Sequence, residues 1–211
     1  MIMLSIFSKL AATKLLQTSP TSLRALSTSS LSSSHVLPKP INVVLIHPDI
    51  PGNTGSIGRI VMAVGGKLHL VHPLGFDLSE KSLKRAGLDY WSKLDVYEHS
   101  SWEDFKSYAS SEPENTKTAW LFTTKASGRA HWDGVYQPGD YLLFGSETKG
   151  ASEDVHNWVT TRHSRLMGGE DEHGDGRICL PMVEEARSIN LACAASAGIF
   201  EAVRQCHNVG K

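Results

Sequence analysis

From residue 41 onward, short apolar runs alternate with amphipathic stretches, and glycine or proline marks most of the joins. Residues 41–47 (INVVLIH) are almost continuously apolar and rich in β-branched side chains, the pattern of a strand covered on both faces. Gly52, Gly55 and Gly58 follow, then an apolar stretch over 57–64 that ends at Gly65-Gly66; this predicts a glycine-rich turn leading into a helix. Residues 67–72 (KLHLVH) alternate as a second strand should. Asp77-Leu78-Ser79-Glu80 has the form of a capping box and opens a short helix that Gly87 closes. Further strands are predicted at 94–97, 120–124, 141–144 and 178–182, with helices at 102–109 and 153–159 between them. A last helix is predicted from 188 to 206. Its middle, 192–198 (ACAASAG), carries side chains small enough for close approach of a neighbouring element or a second subunit. Residues 167–176 (MGGEDEHGDG) are polar, acidic and glycine-rich and read as a mobile surface loop. Strand–helix alternation without an internal repeat implies a single α/β domain with a mainly parallel sheet over residues 40–211.

Composition changes this picture at the N-terminus. Residues 1–34 hold fourteen Ser or Thr and no acid, with Leu4, Phe7, Leu10, Leu15 and Leu16 among the apolar positions. An amphipathic basic stretch (6–16) followed by a hydroxyl-rich tract has the form of an organellar transit peptide. Arg24-Ala25-Leu26-Ser27 resembles a mitochondrial processing site, which prefers the mitochondrion over the chloroplast. Residues 1–39 are thus expected to be a disordered address segment, with 36–40 the linker into the domain. The net charge of −1 conceals an asymmetry: Lys9, Lys14, Arg24 and Lys39 lie in that segment, so the rest holds 17 of the 21 basic residues against all 22 acidic ones, or −5. A uniformly basic nucleic-acid binder is excluded, and any RNA contact needs a local basic patch. No run of 18 apolar residues occurs, so neither a transmembrane helix nor a membrane partner is expected. Cys179, Cys193 and Cys206 form no C-x-x-C pattern, which argues against a disulfide framework or a zinc knuckle; the ten histidines are scattered, and no metal is implied.

A strand, glycines and a helix invite a nucleotide-binding reading, but G-x-x-G-x-x-G is not the dinucleotide fingerprint, and Lys149-Gly150 lacks a preceding phosphate loop. Three separated motifs say more. PGNTGSIGR (51–59) sets Asn53 and Arg59 six residues apart at the start of the first helix. LLFGSETKG (142–150) runs a strand into Gly145 and Glu147. ICLPMVEEARSINLA (178–192) crosses Pro181 to reach Ser188 and Asn190 at a helix start. In that order and at those intervals they resemble the signature motifs of the SPOUT RNA 2′-O-ribose methyltransferases, the SpoU or TrmH-like class. Residues 77–91 (DLSEKSLKRAGLDYW) also resemble the TrmL-type enzymes that act on the cytidine or uridine at the tRNA wobble position. The similarity runs from about residue 41 to 203.

The resemblance implies a SPOUT domain with a C-terminal trefoil knot, S-adenosylmethionine as cofactor, and a homodimer with sites near the subunit interface. It places the cofactor against Phe122, Thr123, Gly145, Leu180, Met182 and Ser188. Gly145 reads as leaving room for the ligand, while Phe122 and Leu180 read equally as core. It assigns catalysis to Arg59, Asn53, Glu147 and Asn190. Guanidinium stays protonated, so Arg59 reads as a phosphate clamp rather than a base. Ser188 stands where the last helix should be capped. Glu147 either holds a neighbouring side chain or receives a ligand hydrogen bond; Arg187 either meets phosphate or pairs with Glu184 or Glu185. Lys81, Lys84 and Arg85 supply the basic cluster the domain otherwise lacks, and with Tyr90 and Trp91 are expected to grip phosphate and stack a base of a tRNA anticodon loop. The chain departs from the bacterial pattern at Ser56 and at LACAAS (191–196), where asparagines are usual, and through the acidic insertion at 167–176. The implied function is S-adenosylmethionine-dependent 2′-O-methylation of the tRNA wobble nucleotide in an organelle. Methylation of another tRNA position or of organellar ribosomal RNA stays open, as does a non-catalytic RNA-binding assembly factor, against which the intact polar motif positions speak.

Overall fold

The computed structural model describes residues 41–79, 90–111, 116–126, 129–167 and 174–208. The expectations for residues 1–40, for the helix after Glu80, and for Lys81, Lys84 and Arg85 lie outside the described residues. The elements follow in the order β1 (Asn42–Ile46), α1 (Pro51–Ala63), β2 (Lys67–Val71), β3 (Asp95–His99), α2 (Trp102–Ser111), β4 (Ala119–Phe122), β5 (Tyr141–Phe144), α3 (Glu153–Met167), β6 (Arg177–Ile178) and α4 (Leu191–Asn208). The strands form one sheet in the order β3-β2-β1-β5-β4-β6, and every pairing in it is parallel.

The unbroken apolar run of β1 is explained by its place. It is fully buried, and its side chains alternate between two cores. Val43 and Leu45 join Leu68, Leu70, Leu142 and Phe144 beneath α1 and α4, while Val44 and Ile46 join Val71, Leu121 and Leu143 beneath α2 and α3. The sheet is therefore the middle of three layers. Gly198 shows why α4 needs its small residues: a Cβ there would strike the ring of Phe122, which itself stacks on Phe144 at 4.6 Å between centroids. At Gly198 the close approach expected of 192–198 is to the sheet of the same chain.

Some boundaries move, each for a physical reason. The third strand begins at Asp95, not 94, because Trp91–Lys93 closes a 3₁₀ turn in which the Leu94 N–H bonds Trp91 O. Helix α3 continues to Met167, well past the predicted 159, because its polar inner face carries the buried Arg162 and His163. Arg162 donates to the carbonyls of Lys117 (2.8 Å) and Ala109 (3.3 Å), tying α3 to the end of α2. Polar residues that serve the interior look like a loop in sequence. Only 174–176 of the predicted acidic loop is both described and outside a regular element; Met167 belongs to the helix. The strand predicted over 178–182 is ladder-paired only at Arg177–Ile178, with Cys179 in an isolated bridge to Ala130, before Pro181. The last helix starts at Leu191 rather than 188. Asn190, not Ser188, caps it: its Oδ1 accepts the N–H groups of Ala192 (2.8 Å) and Cys193 (3.3 Å).

Candidate functional site

Because all strands run the same way, their carboxyl ends share one edge of the sheet. The strand order departs in opposite directions from the β1–β5 pair, so a crevice is expected just beyond those two strands. The segments leaving β1 and β5 there carry the first two motifs, and the end of β4 adds Phe122 and Thr123. The chain segment after β6 returns from the sheet's margin to this place, where Asn190 meets Asn53.

The first and second motifs are joined by a carboxylate. No side chain caps α1 at Ile50. Glu147 does that work from the opposite loop, accepting the N–H groups of Asp49 (2.8 Å) and Ile50 (3.3 Å) at the positive end of the helix dipole. The same carboxylate accepts Asn53 Nδ2 at 2.9 Å. That bond orients the Asn53 amide, so its Oδ1 faces Asn190 and accepts Asn190 Nδ2 at 2.9 Å. Asn190 then spends its own oxygen on the α4 cap. Glu147, Asn53 and Asn190 thus form one relay that spans all three motifs. Thr148 adds a second tie, donating to Asp49 Oδ2 at 2.6 Å and holding that carboxyl below its usual range.

Between these loops lies a cleft of about 590 Å³. Phe122, Thr123, Gly145, Leu180, Met182 and Ser188 all line it, as do Asn53, Glu147 and Asn190. Gly145 has a structural reason to be glycine as well: a Cβ there would collide with the backbone of Gly150 and Ala151 as the loop closes. His156, from α3, was not singled out by the motifs. It also lines the cleft, is 4% exposed, and its Nε2 has no hydrogen-bond partner; burial lowers its pKa. The sequence held no signal for it beyond a histidine in the helix that follows the second motif.

Arg59 stands outside this lining. It is exposed on α1, with its guanidinium carbon 4.6 Å from the centroid of the Tyr90 ring. Tyr90 is only 6% exposed and donates through its hydroxyl to Gly55 O, so it presents no open face on which a base could stack. Trp91 is half-buried against the core. Arg187 is exposed and pairs with neither Glu184 nor Glu185 among the described residues. Among the described residues no group of three His, Cys, Asp or Glu side chains could hold a metal ion, and no helix is long and apolar enough to cross a membrane.

A parallel three-layer α/β domain whose carboxyl edge draws three glycine–polar motifs around one ligand-sized cleft has the architecture of an open parallel-sheet protein with its ligand site at the strand ends. The comparisons make the class specific. Residues 40–165 match the SpoU rRNA Methylase family. A relative from Burkholderia ambifaria, named tRNA (cytidine(34)-2'-O)-methyltransferase, is 38% identical over 164 residues, covering 78% of this chain and 94% of that protein. A solved structure described as giving insights into the 2-OH methylation of C/U34 on tRNA is 35% identical, with a TM-score of 0.64 over 80% of this chain and 97% of that one. A SpoU methyltransferase from Streptomyces viridochromogenes, solved in complex with AdoMet, shares the fold at 24% identity, with a TM-score of 0.62 over 79% of this chain and 58% of that one. The chain belongs to the SpoU methylase family.

Proposed function

We propose that the chain transfers a methyl group from S-adenosylmethionine to the ribose 2′-hydroxyl of the tRNA wobble nucleotide. The observation that carries this reading is the convergence of Asn53, of Gly145 with Glu147, and of Ser188 with Asn190 on one cleft, from three motifs up to 137 residues apart in the chain. The activity named for the Burkholderia relative supports the choice of nucleotide. The residues present suit the cofactor. Phe122, Leu180 and Met182 give apolar walls for an adenine, and Thr123, Ser188 and the unpartnered His156 Nε2 offer hydrogen-bonding partners for its polar groups.

When bound, S-adenosylmethionine supplies a methyl group already activated on a sulfonium. What remains for the protein is to orient a weak nucleophile and help its proton leave. The guanidinium fork of Arg59 suits a bidentate grip on the substrate phosphate, which fixes the ribose beside the cleft. Asn53, Glu147 and Asn190 have most of their hydrogen-bonding capacity committed to one another and to backbone, so their part is to hold the three loops in register. The same reading includes the knotted threading of the C-terminal segment and a homodimer; Ile50 and Ile189 at the cleft and Val183 beyond it are exposed apolar side chains suited to cover by a second copy. Light scattering should then give twice the chain mass. It also takes residues 1–39 as the organellar address, so a reporter fused to them should be imported.

The deciding experiment is transfer of labelled methyl to unmodified organellar RNA, with nucleoside-resolved mapping. Label on the wobble ribose is expected. Label elsewhere would overturn the nucleotide assignment, and no label from protein that binds the cofactor would overturn catalysis in favour of an RNA-binding assembly role.

A further inference from the structure

Tyr90 lies in the segment that entered as a base-stacking candidate, and the structure gives it different surroundings. Gly55 and Arg59 are one helical turn apart on the same face of α1. Tyr90 spans that turn: its hydroxyl is anchored on the Gly55 carbonyl and its ring lies under the Arg59 guanidinium. The approach is built into the helix. A Cβ on Gly58 would come within 3.0 Å of Leu94 Cδ2 and 3.3 Å of Trp91 Cζ3, so glycine at this position is what lets the 90–94 segment lie flat on α1. Among the described residues Arg59 has no ion-pair partner, and the aromatic face is its recorded contact.

We infer that Tyr90 is a positioning residue for Arg59, acting through the guanidinium and not on RNA directly. This rests on the proposed role of Arg59 as the clamp on the substrate phosphate. A free arginine on a helix surface samples many rotamers, and phosphate gripped from the wrong one leaves the ribose hydroxyl out of line for transfer, which lowers kcat. A ring beneath the guanidinium restricts the side chain beforehand and leaves its N–H donors available for two phosphate oxygens. The hydroxyl bond to Gly55 prevents the ring from rotating away from that task. A tyrosine that is 6% exposed performs this role without meeting the nucleic acid.

The test uses the full chain with tRNA substrate and the variants Tyr90→Phe, Tyr90→Leu, Arg59→Ala and Arg59→Lys. Tyr90→Leu removes the platform and is expected to lower kcat on the order of tenfold, the scale of one lost cation–π contact, with cofactor affinity close to that of the parent; the lost packing and hydroxyl bond also lower the thermal midpoint, so turnover is read well below it. Tyr90→Phe retains the ring and should recover most of that loss. In the Arg59→Lys background, where no planar fork remains to be held, Tyr90→Leu should cost no more than about twofold, because residues that act as one unit do not add. The Nε–Hε resonance of Arg59 provides a readout independent of turnover: it should move in Tyr90→Leu and stay near its position in Tyr90→Phe. An equal loss in both Arg59 backgrounds, or a loss confined to the KM for tRNA, would overturn the inference in favour of direct RNA contact. Wild-type turnover in Tyr90→Leu beside a severe loss in Arg59→Ala would sink the inference alone. Wild-type turnover in Arg59→Ala would remove the role of Arg59 itself.

Discussion

Asn190 offers the sharpest test of how the three motifs are held together, because its two amide atoms have different duties. Its Oδ1 caps α4 and its Nδ2 donates to Asn53 Oδ1. Asn190→Ser retains an equally good cap but is too short to reach Asn53. It leaves one acceptor on a residue that is 8% exposed without its partner, a cost of about 1–2 kcal/mol. Asn190→Ala also loses the cap, which adds about 1 kcal/mol. Asn190→Asp is the informative case. Aspartate caps well and suits the helix dipole, so on capping alone it should be neutral or stabilising. It also turns a carboxylate oxygen toward Asn53 Oδ1, acceptor against acceptor. Flipping the Asn53 amide offers no escape, because its oxygen would then face the Glu147 carboxylate. Asn190→Asp should therefore lose at least as much as Asn190→Ser, about 2 kcal/mol, despite the better cap. Urea unfolding gives the stabilities, and calorimetric titration with S-adenosylmethionine should weaken in the same order, since Asn53 and Asn190 line the cleft. An Asn190→Asp variant as stable as the parent would refute the relay.

Three further outcomes are expected. Burial holds buried His69 neutral, with a pKa of about 3, whereas the unfolded chain protonates near 6.5; its contribution to stability therefore falls as pH drops through that window, by about 2 kcal/mol at pH 5. Burial raises Asp140 to about 6, and this works in the opposite direction, returning about 1 kcal/mol over the same interval. Burial also holds His99, His131 and His156 below the usual value and adds to the loss, so parent protein should lose stability between pH 7 and 5 in urea titrations, and Asp140→Asn should lose about 1 kcal/mol more; equal pH dependence in the two would contradict the assignment. Gly198→Leu drives a side chain into the Phe122 ring and should cost at least about 1–3 kcal/mol in thermal or urea unfolding while displacing a wall of the cleft; undiminished stability would mean that α4 does not lie as close to the sheet as described. His156→Leu replaces a buried imidazole that has an unpartnered nitrogen, and is expected to stabilise the protein by about 1 kcal/mol in the absence of cofactor; a loss of stability would show that the nitrogen has a partner.

Much of the framework was legible because it is written in local pattern. The apolar run of β1 and the strand at Tyr141–Phe144 stand where the pattern puts them, since a strand buried on both faces has few other ways to satisfy its side chains. Two of the misplaced boundaries share a cause: long-range polar contacts that no window of sequence contains. The end of α3 was set too early because Arg162 and His163 read as surface residues, whereas Arg162 ties α3 to carbonyls 45 and 53 residues away. The start of α4 was set too early because Ser188 and Asn190 are both good caps, and only the bond across 137 residues to Asn53 selects between them.

The same distinction governs the candidate site. The motifs identified which side chains gather at the cleft, because spacing and glycine content survive in one dimension. They did not divide labour among them. Glu147, Asn53 and Asn190 looked like free chemical groups and prove to be bonded chiefly to one another and to helix ends. Tyr90 looked like an RNA contact because aromatic and basic residues adjoin in the chain, but its side chain faces α1. With the relay committed to structure, Arg59 is an exposed motif cation outside the cleft lining, and the proposed function gives it the substrate phosphate. Specificity for one nucleotide must then come from how surfaces beyond the relay seat the RNA, so changes at Arg59 should act on turnover with every substrate alike, whereas changes that alter which ribose is methylated should map outside the three motifs.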